Sequence, residues 1–158
     1  LLGSQHWVDE NPEKLGKISN MFNRDGGPLP CTSLSVTEAM MEDFEKICEP
    51  LYDLNPEIPF ELTTREPRNR PERPWGTDSG PFAVEGVPTL SFGQKDVKGY
   101  NFSYREIWHT ERDLYNMSIP EYLEHSAVVN AIVVLGVADL NYLLPRKGYY
   151  KEPEENQE

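Results

Sequence analysis

Two short segments hold the residues best suited to bind a metal. Asn23-Arg24-Asp25-Gly26-Gly27 offers a carboxylate and Ile107-Trp108-His109-Thr110-Glu111-Arg112-Asp113 offers an imidazole, each at the end of an apolar run. Carboxylate oxygen and neutral imidazole nitrogen are both common zinc donors. A strand ending at either residue would deliver it to the edge of a sheet, where ligands gather in open α/β folds. Each also has a plain structural reading, since Asp-Gly forms turns and His109 precedes one. Asp78 fits an N-cap before Ser79-Gly80-Pro81 as well as it fits a carboxylate that orients a ligand. Asp113, four residues after His109, could support a ligand from behind or close the turn before the last helix. His6 and His125 sit inside helical patterns without a partner nearby in sequence. Ser4 and Ser79 lie outside any Gly-x-Ser-x-Gly elbow, which argues against a serine triad.

Composition narrows the setting. The chain has 158 residues, enough for one domain with a substantial core. With 15 basic against 27 acidic residues its net charge is -12, so a phosphate backbone is repelled and nucleic acid is not an expected partner. Two cysteines, Cys31 and Cys48, are too few for a disulfide framework and lack metal spacing; their pairing stays open. No signal peptide, lipidation motif or membrane span is evident. The most apolar run, 127 to 144, is interrupted by Asn130, Asp139 and Asn141 and reads as a buried helix.

The elements that must position these residues can be read in order. Leu2 to Asp9 is a helix closed by Asn11-Pro12, and Lys17 to Phe22 is a short strand entering the Asn23 to Gly27 loop. A capping box of Ser35 and Glu38, with Val36, Met40, Phe44, Ile47 and Leu51 on one face, predicts a helix from Ser35 that Pro50 ends. Phe60 to Thr64 alternates as an edge strand. Glu66 to Pro74 interleaves Arg65, Arg68, Arg70 and Arg73 with prolines and must be a loop; it could hold an anion, though a solvated loop is the ordinary outcome. A short helix follows, capped by Asp78 or Ser79 and ended by Gly86, then a strand from Val87 to Phe92. Tyr104 to Trp108 leads into His109, and Ser118 caps a last helix reaching about Leu144, apolar enough to be packed on more than one side. From Lys147 the tail is acidic and expected to fray, leaving a domain over 1–146 and a flexible 147–158. Strands alternating with helices give an α/β fold, its mixed or mostly parallel sheet flanked by helices.

Taken together, four segments resemble the zinc-dependent exopeptidases of metallopeptidase family 28, over nearly the whole chain. Leu1-Leu2-Gly3-Ser4 looks like the helix that follows the family's Glu-Glu-x-Gly motif. Asn23-Arg24-Asp25 is similar to its Asn-x-Asp, Thr77-Asp78-Ser79-Gly80-Pro81-Phe82 with Gly86-Val87-Pro88 to its Ser/Thr-Asp-x-x-Pro-Phe and Gly-Ile/Val-Pro, and His109-Thr110-Glu111-Arg112-Asp113 to its His-Thr-x-x-Asp. The resemblance implies a two-zinc centre with Asp25 and His109 on opposite metals, and a metal-activated water that attacks a peptide bond with a glutamate as general base. By analogy it places Asp78 and Asp113 at the rim and Tyr104 and Trp108 in the substrate pocket, with ordinary core packing as the equal alternative for the two aromatic residues. In the family the first histidine ligand, the bridging aspartate and the Glu-Glu pair come before the position of Leu1. The expectation is therefore a fold incomplete at its N-terminal side, belonging to an exopeptidase, an aminopeptidase in first place, with the 158 residues alone binding zinc weakly and cutting nothing. A noncatalytic binding or scaffold domain, and an acyltransferase of the glutaminyl cyclase type, are the rivals. The partner expected is a peptide, with a homodimer through an exposed sheet edge as a further expectation and an extracytoplasmic location by analogy.

Overall fold

The structure is a computed structural model that describes residues 1–102 and 104–151. In chain order it contains α1 (Leu2–Glu10), α2 (Pro12–Leu15), β1 (Met21–Phe22), β2 (Cys31–Val36), α3 (Glu38–Tyr52), β3 (Glu61–Thr64), α4 (Gly80–Val84), β4 (Thr89–Leu90), β5 (Phe92–Gln94), α5 (Tyr104–Ile107), a 3-10 turn at Tyr115–Met117, and α6 (Pro120–Ala138). Strand β2 is central in a three-stranded sheet, parallel to β3 and antiparallel to β5, while β1 and β4 form a separate parallel pair. The fold is α/β with mixed strand direction flanked by helices, as expected.

Strand β2 is the element the sequence pattern conceals. Ser35, read as a helix cap, lies inside it, exposed, and its hydroxyl is 2.7 Å from that of Thr63 on β3. Residues Cys31, Leu34 and Val36 are fully buried. A register shift against β5 between Cys31 and Ser33 breaks the alternation that would have marked the strand. The helix then starts at Glu38 with Thr37 as N-cap by backbone geometry, and no side chain caps it. It continues past Pro50 to Tyr52.

Packing follows from these two elements. Met40, Phe44, Cys48 and Leu51 of α3 and Val129, Val133 and Val137 of α6 close over β2 in one apolar cluster. Fully burying a side chain of this size contributes roughly 1.5–3 kcal/mol. Helix α6 stops at Ala138 rather than near Leu144, and it buries one face only. Leu123, Val128, Val134 and Leu135 on its other side are exposed, so the expected packing on several sides is not found. By length and composition α6 is apolar enough to cross a membrane, but here its inner face belongs to this core. Val8, Leu15 and Val87 make a smaller cluster under α1, where Trp7 stacks on Phe82 at 5.6 Å.

Three other expectations change. The strand predicted over Val87 to Phe92 divides, Thr89–Leu90 pairing with β1 and Phe92–Gln94 with β2. Only Met21–Phe22 of the first predicted strand is extended and paired. The tail does not fray at Lys147: Tyr149 is fully buried, and its hydroxyl donates to Thr89 O at 2.5 Å and accepts from Thr89 N at 2.9 Å. Lys151 N donates to Arg68 O at 2.9 Å, so the segment through Lys151 is part of the fold and Glu152 onward lies outside the described residues. Cys31 and Cys48 are both buried and unpaired. Burial pushes the Cys48 thiol up to about 12.

Gly136 of α6 lies against Ile47 of α3. A Cβ there would lie 2.6 Å from Ile47 Cγ2 and 2.9 Å from Cγ1. Gly136→Ala should therefore lower unfolding stability by about 1 kcal/mol, because overpacking exceeds the helix-propensity gain of about 1 kcal/mol. In an Ile47→Ala background the same change should stabilise instead, and urea denaturation of the four-member cycle reads the change of sign.

Candidate functional site

The loop after β1 turns its successive side chains to opposite sides. Arg24 points inward, where Nη2 donates to Gly27 O and Leu29 O, both at 2.9 Å, and Nε lies 3.4 Å from Cys31 Sγ. Its Nη2 is also 3.4 Å from Ser126 Oγ of α6. Asp25 is left exposed on the outer side, where its Oδ2 accepts from Asn23 Nδ2 at 2.7 Å. The two glycines that follow have separate reasons. Gly27 has φ +67, and a Cβ on Gly26 would overlap the Gln94 amide at 1.7 Å. Sequence reasoning treated this stretch as a turn and missed Arg24, whose guanidinium closes the loop from within.

His109 arrives by a different route from the one expected. No strand leads to it; α5 is a single helical turn, and His109 follows it with φ +57, a left-handed conformation in which histidine is among the more frequent non-glycine residues. Thr110 fixes that reversal. Its N–H and its hydroxyl both donate to Ile107 O, at 3.0 and 2.8 Å, and the hydroxyl accepts from Arg112 N at 3.2 Å. The His109 ring stacks on Trp108 at 4.2 Å, and Trp108 on Tyr104 at 6.1 Å.

Asp78 is not the cap of α4. Ser79 takes that position by backbone without a side-chain bond, while Asp78 accepts from Ser4 Oγ at 2.8 Å. Asp25, Asp78, Tyr104, Trp108 and His109 all line one open cleft of about 590 Å³ with Gly26, Gly76 and Thr77. Asp113 lies next door, in a cavity of about 340 Å³ that it shares with Asp25, Arg24 and Ile107. The residues singled out in the sequence thus come together around Asp25, five of them in one cleft. His6 does not join them, and His125 is buried at the base of α6 with Nε2 3.1 Å from Cys31 O.

A family model described as peptidase family M28 matches residues 1–134. The chain belongs to that family. Membership makes it a peptidase domain and places it among metallopeptidases, which in this family are zinc-dependent in general. No curated protein and no solved structure matches it.

Asp25 and His109 are of the right chemical kind for zinc, but among the described residues no group of three His, Cys, Asp or Glu side chains could hold a metal. Zinc sites take three or four protein ligands. No glutamate lines either cavity among the described residues, so a general base of that type is not at hand. The donor set of the described residues does not by itself fit a complete zinc centre.

Beneath the Asp25 loop, burial first, opposed by the bond to Cys31 O, keeps the His125 imidazole below its ordinary pKa. The unfolded chain therefore takes up this proton before the folded one. Stability is full above about pH 6.5 and is lost as pH falls below it. Thermal midpoints measured between pH 7.5 and 5 should fall with acid, and His125→Gln should flatten that fall. Carboxylates held low by hydrogen bonds, such as Asp96, bonded to the Tyr122 hydroxyl, lose their contribution only in more acidic solution.

Proposed function

We propose that the cleft is part of the peptide-hydrolysing centre of a zinc exopeptidase, most simply an aminopeptidase, with Asp25 and His109 as ligands to opposite metal ions. The observation that carries this reading is the convergence, in a chain of peptidase family M28, of Asp25, Asp78, Tyr104, Trp108 and His109 on one cleft, although they are spread over the sequence from position 25 to 109. Arg24 and Thr110 hold the two donor-bearing turns in shape from within. Tyr104 and Trp108 supply an aromatic wall, the kind of surface that receives an apolar side chain. Asp78 and Asp113 act at the rim, Asp78 by tying the cleft to α1 through Ser4.

The same proposal holds that residues 1–158 alone bind zinc weakly and cleave nothing. Among the described residues two donors fall short of the three or four a tight site needs, and the proposal assigns the remaining ligands and the base to polypeptide outside them.

Zinc content by mass spectrometry and cleavage of leucyl-4-nitroanilide test both parts. The 158-residue chain should hold well under one zinc and show no turnover. A polypeptide extended ahead of Leu1 should cleave the substrate and lose at least a hundredfold in kcat/KM on Asp25→Asn or His109→Gln. Stoichiometric zinc with turnover in the 158-residue chain would overturn the claim of inactivity, and an extended protein indifferent to both substitutions would overturn the ligand assignment. Cleavage of free-amine substrates over N-acetylated ones decides for the aminopeptidase, and cyclisation of N-terminal glutamine without hydrolysis decides against any peptidase.

A further inference from the structure

Helix α6 carries apolar residues beyond the side that the core needs. Val129, Val133 and Val137 are buried on its inner side, while the positions that recur on the opposite side, Ala127, Val128, Ala131, Val134, Leu135 and Ala138, are all exposed. Leu135 is 62 % exposed, Val134 43 % and Val128 41 %. At helical spacing these six positions form one stripe of about three turns. None of them has a polar side chain. Contiguous apolar surface of this kind marks an interaction site.

The ends of the stripe indicate what covers it. Glu124 closes it at one end and Asp139 at the other, both exposed and both outside the ion pairs found among the described residues. The two positions are roughly 22 Å apart along the helix axis, at a rise of about 1.5 Å per residue. Asp139 is the C-cap of α6, where a negative charge opposes the helix dipole, and the last turn has no basic residue to offset it. From Asp113 to Pro145 the chain contains no lysine or arginine. Lys98, which reaches Glu121 of this helix, is already shared between that residue and Glu57. A second copy would set acid against acid at both ends of the stripe, whether the helices ran parallel or antiparallel, between chains of net charge -12. A bilayer surface takes helices with lysine and arginine on the polar face, and anionic lipid repels an acidic one, although α6 is long and apolar enough to enter lipid.

We propose that the outer face of α6 docks a basic amphipathic helix of a separate protein, with an apolar stripe of about three turns and a lysine or arginine near each end. Aliphatic side chains of that helix pack over Val128, Val134 and Leu135, and the three alanines let the two helix axes approach closely. Its cations meet Glu124 and Asp139, and the one at Asp139 compensates the charge that the dipole disfavours. The net charge of -12 steers such a partner toward the protein from a distance. None of these residues lines the cleft of Asp25 and His109, so the proposal stands apart from the reading of that cleft.

The test titrates the 158-residue chain into fluorescein-labelled synthetic peptides and reads anisotropy. One peptide places leucine and alanine on one helical face with a lysine at each end, about fifteen positions apart to match the acids. A second has glutamate for both lysines, and a third has the composition of the first in scrambled order. The lysine peptide should bind saturably and one to one, at least tenfold tighter than either control, and should weaken as salt rises from 50 to 500 mM. Leu135→Gln, at an exposed position, should weaken it at least fivefold. Glu124→Lys combined with Asp139→Lys should reverse the preference, so that the glutamate peptide binds and the lysine peptide does not, a result that loss of folding cannot imitate. Absence of saturable binding, equal binding of the two charged peptides, a preference that the double variant leaves unchanged, or unchanged binding in a folded Leu135→Gln would overturn the proposal. A dimer of the free chain in sedimentation, broken by Leu135→Gln, would assign the face to a second copy instead. Cosedimentation with vesicles of phosphatidylcholine and phosphatidylglycerol would assign it to a bilayer. If the polypeptide extended ahead of Leu1 no longer binds the lysine peptide, the face is covered from within and the separate partner is refuted.

Discussion

The arrangement depends on how the first residue of β2 is held. Cys31 N donates to Ser126 Oγ at 3.0 Å, and Cys31 O lies 3.1 Å from His125 Nε2, so both backbone groups of this buried residue are bound to side chains of α6. A strand starting where its register with β5 shifts would otherwise bury unpaired peptide groups, each a loss of about 1–3 kcal/mol. The helix is thereby fixed against the strand at the point where the Asp25 loop ends. Arg24, in reach of both Cys31 and Ser126, joins the loop to the same point.

The division of labour in the cleft follows from that anchorage. Asp25 and His109, donors of the chemical kind that bind metals, lie exposed on the outside of two tight turns, and the groups that shape those turns lie inside. Arg24 binds carbonyls while Asp25 stays exposed, and Thr110 binds Ile107 while His109 stays exposed. Along the far wall, the C-terminal Tyr149 binds both backbone groups of Thr89 and accepts from Arg68, so the last described turn of the chain braces β4 and the arginine together. A domain limit at residue 146 would have removed that brace.

Much of the site was legible because its signals are local: an acid before two glycines, a histidine before a threonine, a proline and phenylalanine after Asp-Ser-Gly. The fold was legible where the apolar periodicity is clean, as in α3 and in the alternation of β3. It was obscured where a local signal competes with tertiary packing. Ser35 and Glu38 have the spacing of a helix cap, yet Ser35 is worth more beside Thr63 on the sheet, and the strand it belongs to wins because Cys31, Leu34 and Val36 are buried there. Tyr104 to Trp108 has the composition of a strand, but the reversal at His109 needs a helical turn ahead of Thr110. The tail was misjudged by its acidic end, since Tyr149 and Tyr150 lie just before it.

The pairing of β1 with β4 sets Met21 opposite Thr89, and that of β2 with β5 sets Leu34 opposite Phe92. Contacts between such distant residues form late in folding, because the entropy of closing the intervening chain is lost before the sheet returns any energy. Only the β2-α3-β3 unit is comparatively local. The Asp25 loop, anchored on α6, and the His109 turn therefore have no fixed relation until the long-range pairs have formed. The cleft between them is thus a product of the finished sheet and not of either turn alone.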